Sequence, residues 1–287
     1  MSTVAGGAAR GRGLLRILGL AFGVAVVVGD MVGVGIMRTP GPVAGRLGSP
    51  GLIFLVWLAI AIYTLCAANT MAELATAVPK AGGSYVYVHR SFGDYLGFVS
   101  GWGDFGIQSI AMGYLAIASS EFLIEVLPGL AGHGAIVATA LIAAFAAVNS
   151  VGLRTSSTVQ QLVSCAKILL LLTLVVAAFA QPRPHPSHLH AALPAAGAAA
   201  SVIAIIFAMQ IVLEVYGGFN AACYFTEETT DPARTVPRAM LYGVLLVIVV
   251  YLAVNAAVLH VLTPAELGTS KLAAGAALAR LYGPAAG

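Results

Sequence analysis

Apolar residues along the chain fall into long stretches that are separated by short polar connections. Each stretch has roughly the 17–25 residues that an α-helix needs to cross the hydrocarbon core of a bilayer. The stretches lie near 17–37, 51–72, 96–120, 134–153, 159–180, 198–219 and 239–262. The pattern predicts an all-α polytopic membrane protein with about seven transmembrane helices.

The first stretch carries polar residues and glycines where a simple transmembrane helix would be apolar. Its segment VVGDMVGVGIMRTPG contains Asp30, Gly33 and Gly35 near mid-span. Unpaired backbone groups are tolerated at membrane depth only where they line a protein cavity or a water-filled path. We therefore expect helix one to be discontinuous here. The glycines would let the helix unwind, and the freed N–H groups would suit an anion such as a carboxylate.

Close helix packing is the alternative explanation for these glycines. Gly19 and Gly23, and likewise Gly29 and Gly33, have the small-xxx-small spacing of packed membrane helices. Packing accounts for Gly19 and Gly23 but not for Asp30, because a charge inside the membrane costs at least about 2.5 kcal/mol.

The sixth stretch contains a second interruption of the same kind. In LEVYGGFNAACYFTEETTDPARTVPRAM, Glu214 stands three residues before Gly217, as Asp30 stands three residues before Gly33. Three residues are roughly one helical turn, so each acid is expected on the face that continues into the unwound segment. Paired breaks in helices one and six are typical of an inverted repeat of five plus five helices with a substrate at midplane. The pattern therefore favours a transporter.

Composition and charge place the chain in a membrane and predict its orientation. Hydrophobic residues make up 60% of the sequence and charged residues 9%, which excludes an ordinary soluble domain. The basic residues predicted on one side are Arg10, Arg12, Arg16, Lys80, Arg90, Arg154, Arg234 and Arg238. Those on the opposite side are Arg46, Arg183, Lys271 and Arg280. The positive-inside rule then predicts a multi-pass protein of the plasma (cell inner) membrane with a cytoplasmic N-terminus.

Other function classes lack support in the sequence. No H-E-x-x-H or G-x-S-x-G motif is present, so we do not expect an enzyme. His185, His188 and His190 lie in a proline-rich loop without a neighbouring acid or cysteine, so we expect no metal or cofactor. No basic stripe for nucleic acid is present, and no partner chain is indicated. A seven-helix receptor or sensor fits the helix count, but it does not require paired glycine breaks preceded by acids.

Three motifs, in order, resemble the amino acid–polyamine–organocation (APC) superfamily of permeases. GDMVGVGIMRTPG resembles the first-helix motif, and AELATAVPKAGGSYVYVHRSFGDYLGFVSGW resembles the end of the second helix and the loop that follows. VYGGFNAACYFTEETTDPARTVPRAM resembles the sixth helix and its exit. The chain is most similar to the L-type amino acid exchangers and their bacterial relatives. The resemblance implies a LeuT-like inverted-repeat fold and secondary active transport of amino acids or related amines, by exchange or proton coupling with alternating access.

The resemblance also implies where the small-molecule substrate would bind. Backbone amides of the first break would hold its carboxylate, namely those of Gly33, Val34, Gly35 and Ile36. Carbonyl oxygens of the sixth-helix break would accept from its amino group, namely those of Glu214, Val215 and Gly217. Two aromatic residues would form a gate over the substrate, Tyr216 and Phe219. Phe219, which would also contact the substrate, stands where the family usually has a tryptophan.

Glu214 departs from the family pattern, because the exchangers usually carry an aromatic residue at this position. An acid there, together with Asp30, leads to the hypothesis that basic amino acids, amines or polyamines are preferred. The alternative is that Glu214 is protonated or paired and only braces the helix.

Lys167 and Asp30 are the candidate residues for coupling or ion binding. Lys167 lies in the fifth stretch, and a buried lysine that gains and loses a proton could couple transport to a proton gradient. In several members of the superfamily, a fifth-helix lysine stands where sodium-coupled relatives bind their ion. The alternative is a fixed ammonium that tethers helix five to the carbonyls freed by the first break.

The chain is shorter than the family pattern requires. Residues 1–13 are predicted as a cytoplasmic tail, and residues 14–262 as a transmembrane bundle of the first five-helix repeat plus two helices of the second. Residues 263–287 are predicted as an external amphipathic surface helix, because Thr263 and Glu266 have the pattern of a helix start. We therefore expect a partial fold truncated before helix eight. A fragment that does not transport is the alternative.

Overall fold

The computed structural model describes residues 18–180, 198–270 and 272–283. The predicted N-terminal tail and the histidine-bearing loop 181–197 lie outside these ranges. The α-helices are α1 (Leu20–Met31), α2 (Gly35–Arg38), α3 (Pro40–Leu47), α4 (Pro50–Ala77), α5 (Ser84–Phe92), α6 (Asp94–Val126), α7 (Gly134–Val151), α8 (Leu153–Phe179), α9 (Ala198–Val215), α10 (Pro232–Val261), α11 (Pro264–Thr269) and α12 (Ala273–Tyr282). The described ranges also contain two 3₁₀ segments, Pro128–Leu130 and Ala221–Glu228.

A helix occupies each of the seven apolar stretches, as expected of an all-α polytopic protein. Five helices, α4, α6, α7, α8 and α10, are each long and apolar enough to cross a membrane. A further span consists of α1 followed by α2 and α3, and it is bent by 43°. α9 is shorter, because its apolar part runs from Val202 to Val215 and ends just before the second glycine pair. The described ranges therefore contain five continuous spans, one bent span and one short apolar helix.

α10 is the central helix of the bundle and packs against α1, α4 and α8. α1 and α10 approach closely because each carries a glycine at the contact. A Cβ atom on Gly23 would lie 2.6 Å from Ala239 Cβ, and one on Gly243 would lie 2.7 Å from Val27 Cγ1. Helix packing, the alternative explanation for the glycines of helix one, therefore accounts for Gly23.

α6 and α7 lie at the periphery of the bundle, where they pack against each other. Many of their large apolar side chains are exposed, among them Phe98, Trp102 and Ile110 on α6. Helices satisfy their backbone hydrogen bonds internally, so such a surface is compatible with the hydrocarbon chains of a bilayer.

Backbone pairing joins the start of helix one to the connection after helix six. The Leu18 N–H donates to the Glu228 carbonyl at 3.1 Å, and the Thr230 N–H donates to the Leu18 carbonyl at 3.0 Å. These bonds form a short parallel bridge. Nearby, Asn220 Nδ2 lies 3.5 Å from Ser84 Oγ at the start of α5. The segment after the second break therefore contacts both the start of helix one and the start of α5.

The C-terminal segment differs from the predicted surface helix. Thr263 and Glu266 form the expected capping box, in which the Glu266 N–H donates to the Thr263 hydroxyl at 3.3 Å. The helix that starts there, α11, is short, and α12 follows as a second helix. The buried residues of α11 and α12 are Pro264, Leu267, Ala273 and Ala277. A Cβ on Gly268 would lie 2.7 Å from Gly45 Cα, so α11 packs directly on α3. The close glycine contact makes this segment part of the bundle.

Candidate functional site

Helix one is discontinuous at the position that the sequence predicts. α1 ends at Met31, and the Gly33 N–H donates to the Met31 carbonyl at 3.1 Å rather than to the carbonyl four residues back. No backbone acceptor is found within the described ranges for the next three amides, those of Val34, Gly35 and Ile36. The break therefore presents three consecutive N–H donors at the start of α2, an arrangement that suits a carboxylate.

The two glycines of this break matter because they lack a side chain and leave room, and not because of the backbone freedom that we expected them to provide. Neither Gly33 nor Gly35 has a positive φ, so other residues could adopt both backbone conformations. Gly33 faces open space, since no atom lies within 4 Å of a Cβ built there. A Cβ on Gly35 would lie 3.1 Å from Val215 Cγ2. Gly35 therefore lets the first break pack against the end of α9.

Helix six is also discontinuous, immediately after α9. The Gly217 N–H donates to the Glu214 carbonyl at 3.0 Å, and Gly218 has a positive φ of 93°. The chain continues as the 3₁₀ segment Ala221–Glu228 and not as a second α-helix. A Cβ on Gly218 would lie 2.8 Å from Asp30 Oδ2 and 3.0 Å from the Asp30 carbonyl carbon. The two breaks therefore touch each other at Asp30 and Gly218.

α8 presents a polar face to helix one. Gln160, Ser164 and Lys167 share this face because they are spaced by four and three residues. Ser164 Oγ donates to the Ala25 carbonyl at 2.7 Å, and Gln160 Nε2 donates to the same oxygen at 3.5 Å. Lys167 Nζ donates to the Gly29 carbonyl at 2.9 Å. Lys167 therefore tethers α8 to a carbonyl that the break in helix one leaves without its backbone partner.

A cavity of about 730 Å³ lies beside the two breaks. Its volume is within the range of small-molecule sites in proteins. Tyr224 lies in its wall, and the Tyr224 hydroxyl donates to Asp104 Oδ2 on α6 at 2.6 Å. The other polar residues of the wall include Asp30, Gln108, Asn149, Ser156 and Gln160. The cavity therefore joins the end of α1, at Gly29 and Asp30, to polar groups of α6, α7 and α8. The backbone contacts predicted for the substrate, at residues 33–36 and at Glu214, Val215 and Gly217, are not among the residues of its wall.

Asp30 and Glu214 have different surroundings, although each stands three residues before a glycine. Asp30 lines the cavity and is exposed to it, and the Lys167 ammonium is close enough to interact with it electrostatically. Glu214 is exposed but is not among the residues that line the cavity. Of the two acids behind the hypothesis of a cationic preference, only Asp30 therefore faces this cavity.

The two candidate gate residues differ in accessibility. Tyr216 is 1% exposed, and its ring centroid lies 5.8 Å from that of Trp57 and 5.1 Å from that of Tyr251. Phe219 is only partly buried and packs at the edge of the core. Of the two, Phe219 therefore has the surface that a substrate could contact in this conformation.

Five residues around the breaks have no role in the sequence-based prediction, namely Gln160, Ser164, Gly218, Tyr224 and Tyr251. The spacing of the first two from Lys167 is a detectable signal, because it places three polar side chains on one helix face. The tyrosines carry no such signal, since a tyrosine in an apolar stretch is compatible with many packed helices.

Comparison with known proteins shows the family of the chain. A family model described as amino acid permease matches residues 18–287. The chain belongs to the amino acid permease family. It is 27% identical over 261 residues to the serine/threonine exchanger SteT of Bacillus subtilis. The aligned region covers 90% of this permease and 58% of that exchanger.

Two other relatives are also named as transporters. The large neutral amino acids transporter small subunit 2 of Homo sapiens is 29% identical over 287 residues, which are 95% of this permease and 52% of that protein. An uncharacterized transporter of Mycobacterium tuberculosis is 32% identical over 254 residues, which are 88% of this permease and 55% of that transporter. The permease spans about half the length of the curated relatives that it matches. Its membership confirms the resemblance carried by the three motifs.

Proposed function

We propose that this permease takes part in secondary active transport of amino acids or related amines by alternating access. The observation that carries the proposal is the contact between two broken helices, at Asp30 with Gly218 and at Gly35 with Val215. Two breaks side by side leave backbone donors and acceptors that a polar substrate can satisfy. Two named relatives are an exchanger of serine and threonine and a transporter of large neutral amino acids.

The two charged groups of the substrate bind to different breaks in this proposal. The carboxylate accepts from amides of the first break, where Gly33 leaves open space. The amides concerned are those of Val34, Gly35 and Ile36; the fourth predicted donor, the Gly33 N–H, donates to the Met31 carbonyl in this structure. The ammonium donates to carbonyl oxygens of the second break, those of Glu214, Val215 and Gly217. Ile36 and Val215 bury their side chains, which leaves the proposed contacts to backbone atoms.

A neutral amino acid suits the charges around the breaks better than a polyamine does. Asp30 and Lys167 contribute opposite charges next to the first break, and these charges largely cancel each other at a distance. Glu214, the second acid on which a cationic preference depends, lies outside the cavity wall. The proposed substrates are therefore zwitterions, whose own charges also cancel.

Exchange is the proposed mode of transport. Lys167 is held on the Gly29 carbonyl, and Ser164 is held on the preceding turn of α1. A fixed ammonium in this place supports helix one without taking up or releasing a proton. Asp30 is exposed to the cavity, so uptake that depends on a proton gradient would assign the coupling to this carboxylate instead.

The cavity is proposed to open toward the cytoplasm. Its wall includes Phe22 in the first turn of α1, and Asn149 and Ser156 on either side of the connection between α7 and α8. Arg154 lies next to that connection, in the first turn of α8, and the positive-inside rule assigns it to the cytoplasm. We therefore propose an inward-facing conformation in the cell inner membrane, with the N-terminus in the cytoplasm and α11 and α12 outside.

Binding and flux of labelled amino acids in reconstituted vesicles test the proposal. The purified protein is expected to bind labelled leucine or serine, and unlabelled amino acid is expected to displace the label. Exchange predicts uptake only into vesicles that are preloaded with amino acid. Binding without flux would support the alternative of a fragment that does not transport. Failure to bind any amino acid would contradict the proposal and favour a receptor or sensor.

A further inference from the structure

Tyr251 of α10 reaches the ends of both broken helices. Its hydroxyl donates to the carbonyl of Met31, the last residue of α1, at 2.7 Å. The same hydroxyl lies 3.4 Å from the carbonyl of Val215, the last residue of α9. Both carbonyls belong to the last turn of a helix, where the usual amide partner four residues further along is missing. The Met31 carbonyl also accepts from the Gly33 N–H, at 3.1 Å. One phenol therefore lies between the two helix ends.

The surroundings of Tyr251 hold its hydroxyl in this position. The side chain is fully buried. Its ring packs edge-on against Trp57 at a centroid distance of 5.8 Å, and the Tyr216 ring packs against it at 5.1 Å in a tilted orientation. Neither Trp57 Nε1 nor the Tyr216 hydroxyl has a hydrogen-bond partner within the described ranges. Among the polar groups of this aromatic cluster, the Tyr251 hydroxyl is thus the one engaged with the helix ends. Buried close packing leaves such a ring little freedom to move.

We propose that Tyr251 is a positioning residue that fixes the separation of the two breaks and thereby selects α-amino acids. The inference rests on the proposed function, in which one break holds the carboxylate and the other holds the ammonium. An α-amino acid carries both groups on one carbon, whereas a β-amino acid has an additional methylene between them. A fixed separation of the two helix ends therefore discriminates between these two classes.

Tyr251→Phe tests the inference, because it removes the hydroxyl and keeps the ring. Tyr242→Phe is the matched control, since Tyr242 is on the same helix and 53% exposed. Equilibrium binding of labelled leucine is measured for the purified full chain, with unlabelled leucine and β-leucine as competitors. Tyr251→Phe is expected to weaken leucine binding by roughly tenfold, because the substrate must then order two helix ends that the hydroxyl no longer holds together. The ratio of the leucine and β-leucine affinities is expected to shrink.

The affinity ratio separates positioning from a general loss of stability. A variant that merely folds less well binds both competitors less in proportion, so its ratio stays at the wild-type value and overturns the inference. A ratio that shrinks in Tyr251→Phe and not in Tyr242→Phe supports it. Hydrogen exchange at residues 32–36 and 216–220 gives a second readout without substrate, and Tyr251→Phe is expected to accelerate exchange in both segments. If the wild type binds no amino acid, the proposed function fails, while unchanged exchange would separately overturn the role of Tyr251.

Discussion

The ammonium of Lys167 replaces a backbone donor that helix one lacks. In a continuous helix the Gly29 carbonyl would accept from the Gly33 N–H, but in this permease the Gly33 N–H donates to Met31. Lys167 Nζ donates to the Gly29 carbonyl instead, at 2.9 Å. A side chain of α8 therefore completes the hydrogen bonding of α1 at its break. Because a buried carbonyl without a partner is costly, this bond stabilises the discontinuous form of the helix.

Lys167→Ala and Lys167→Gln should have different effects if the lysine acts as a tether. Alanine removes the donor to Gly29 and is expected to weaken leucine binding by roughly tenfold, because the substrate must then order a break that the lysine no longer supports. Glutamine keeps an N–H donor without a charge and is expected to retain most of the binding. Binding of labelled leucine to purified protein is the measurement. Thr173→Ala is the control, because Thr173 Oγ1 donates to the Leu169 carbonyl of its own helix.

One result would contradict the role of Lys167 as a tether. If glutamine is as harmful as alanine while Thr173→Ala binds normally, the charge is needed and the tether is not a sufficient role. Uptake that responds to an imposed proton gradient in the wild type and not in Lys167→Gln would then assign proton coupling to the lysine.

Gly218→Ala is expected to damage the contact between the two breaks. The added Cβ would lie 2.8 Å from Asp30 Oδ2, and the positive φ of 93° is unfavourable for alanine. We expect loss of leucine binding and a lower midpoint of thermal unfolding. Gly106→Ala in α6 is the control, since no atom lies within 4 Å of its Cβ. Alanine there is expected to stabilise the helix by up to about 1 kcal/mol. Normal binding by Gly218→Ala would show that the breaks need not touch.

The sequence is sufficient to locate both breaks but not to describe their surroundings. Acids and glycines inside apolar stretches indicate a discontinuity, because membrane helices do not otherwise accommodate them. The partners of the carbonyls freed in helix one come from α8 and α10, more than a hundred residues away, and the local pattern does not reveal them. The equal spacing of Asp30 and Glu214 from their glycines is misleading for the same reason. Spacing fixes the face of a helix, whereas the neighbouring helices decide what that face contacts.

The sequence pattern also does not predict the backbone conformation after the second break. Residues 221–228 form a 3₁₀ segment, although their composition is compatible with a second half-helix. The C-terminal segment shows a related limit. Its capping box is readable from Thr263 and Glu266, but its burial depends on the approach of Gly268 to Gly45, which only the tertiary structure brings together.

Tyr224→Phe is expected to destabilise the permease. The Tyr224 hydroxyl donates to Asp104 Oδ2 at 2.6 Å, and its loss leaves a carboxylate of α6 without this partner. Removing one partner of a part-buried hydrogen bond to a charged group costs about 1–3 kcal/mol. The thermal midpoint should therefore fall, as measured by the fluorescence of the purified protein in detergent. Tyr95→Phe is the control, because Tyr95 is largely exposed on the same helix as Asp104.

A double variant tests whether the two residues act as a pair. Asp104→Asn combined with Tyr224→Phe should cost less than the sum of the two single changes, since each removes the same bond. Strict additivity would show that the observed contact contributes nothing to stability.

Asp30→Asn and Glu214→Gln should separate the two acids in substrate selection. Asp30 is exposed to the cavity, whereas Glu214 is not in its wall. Neutralising Asp30 removes an attractive charge close to the bound substrate, so the affinity for arginine relative to leucine should fall by roughly fivefold at low salt. Glu214→Gln should leave this ratio unchanged. Competition of unlabelled arginine and leucine against labelled leucine measures both ratios. A fall in the ratio for Glu214→Gln alone would restore Glu214 as the acid that selects cations, and it would mean that the second break turns its carboxylate toward the substrate during the transport cycle.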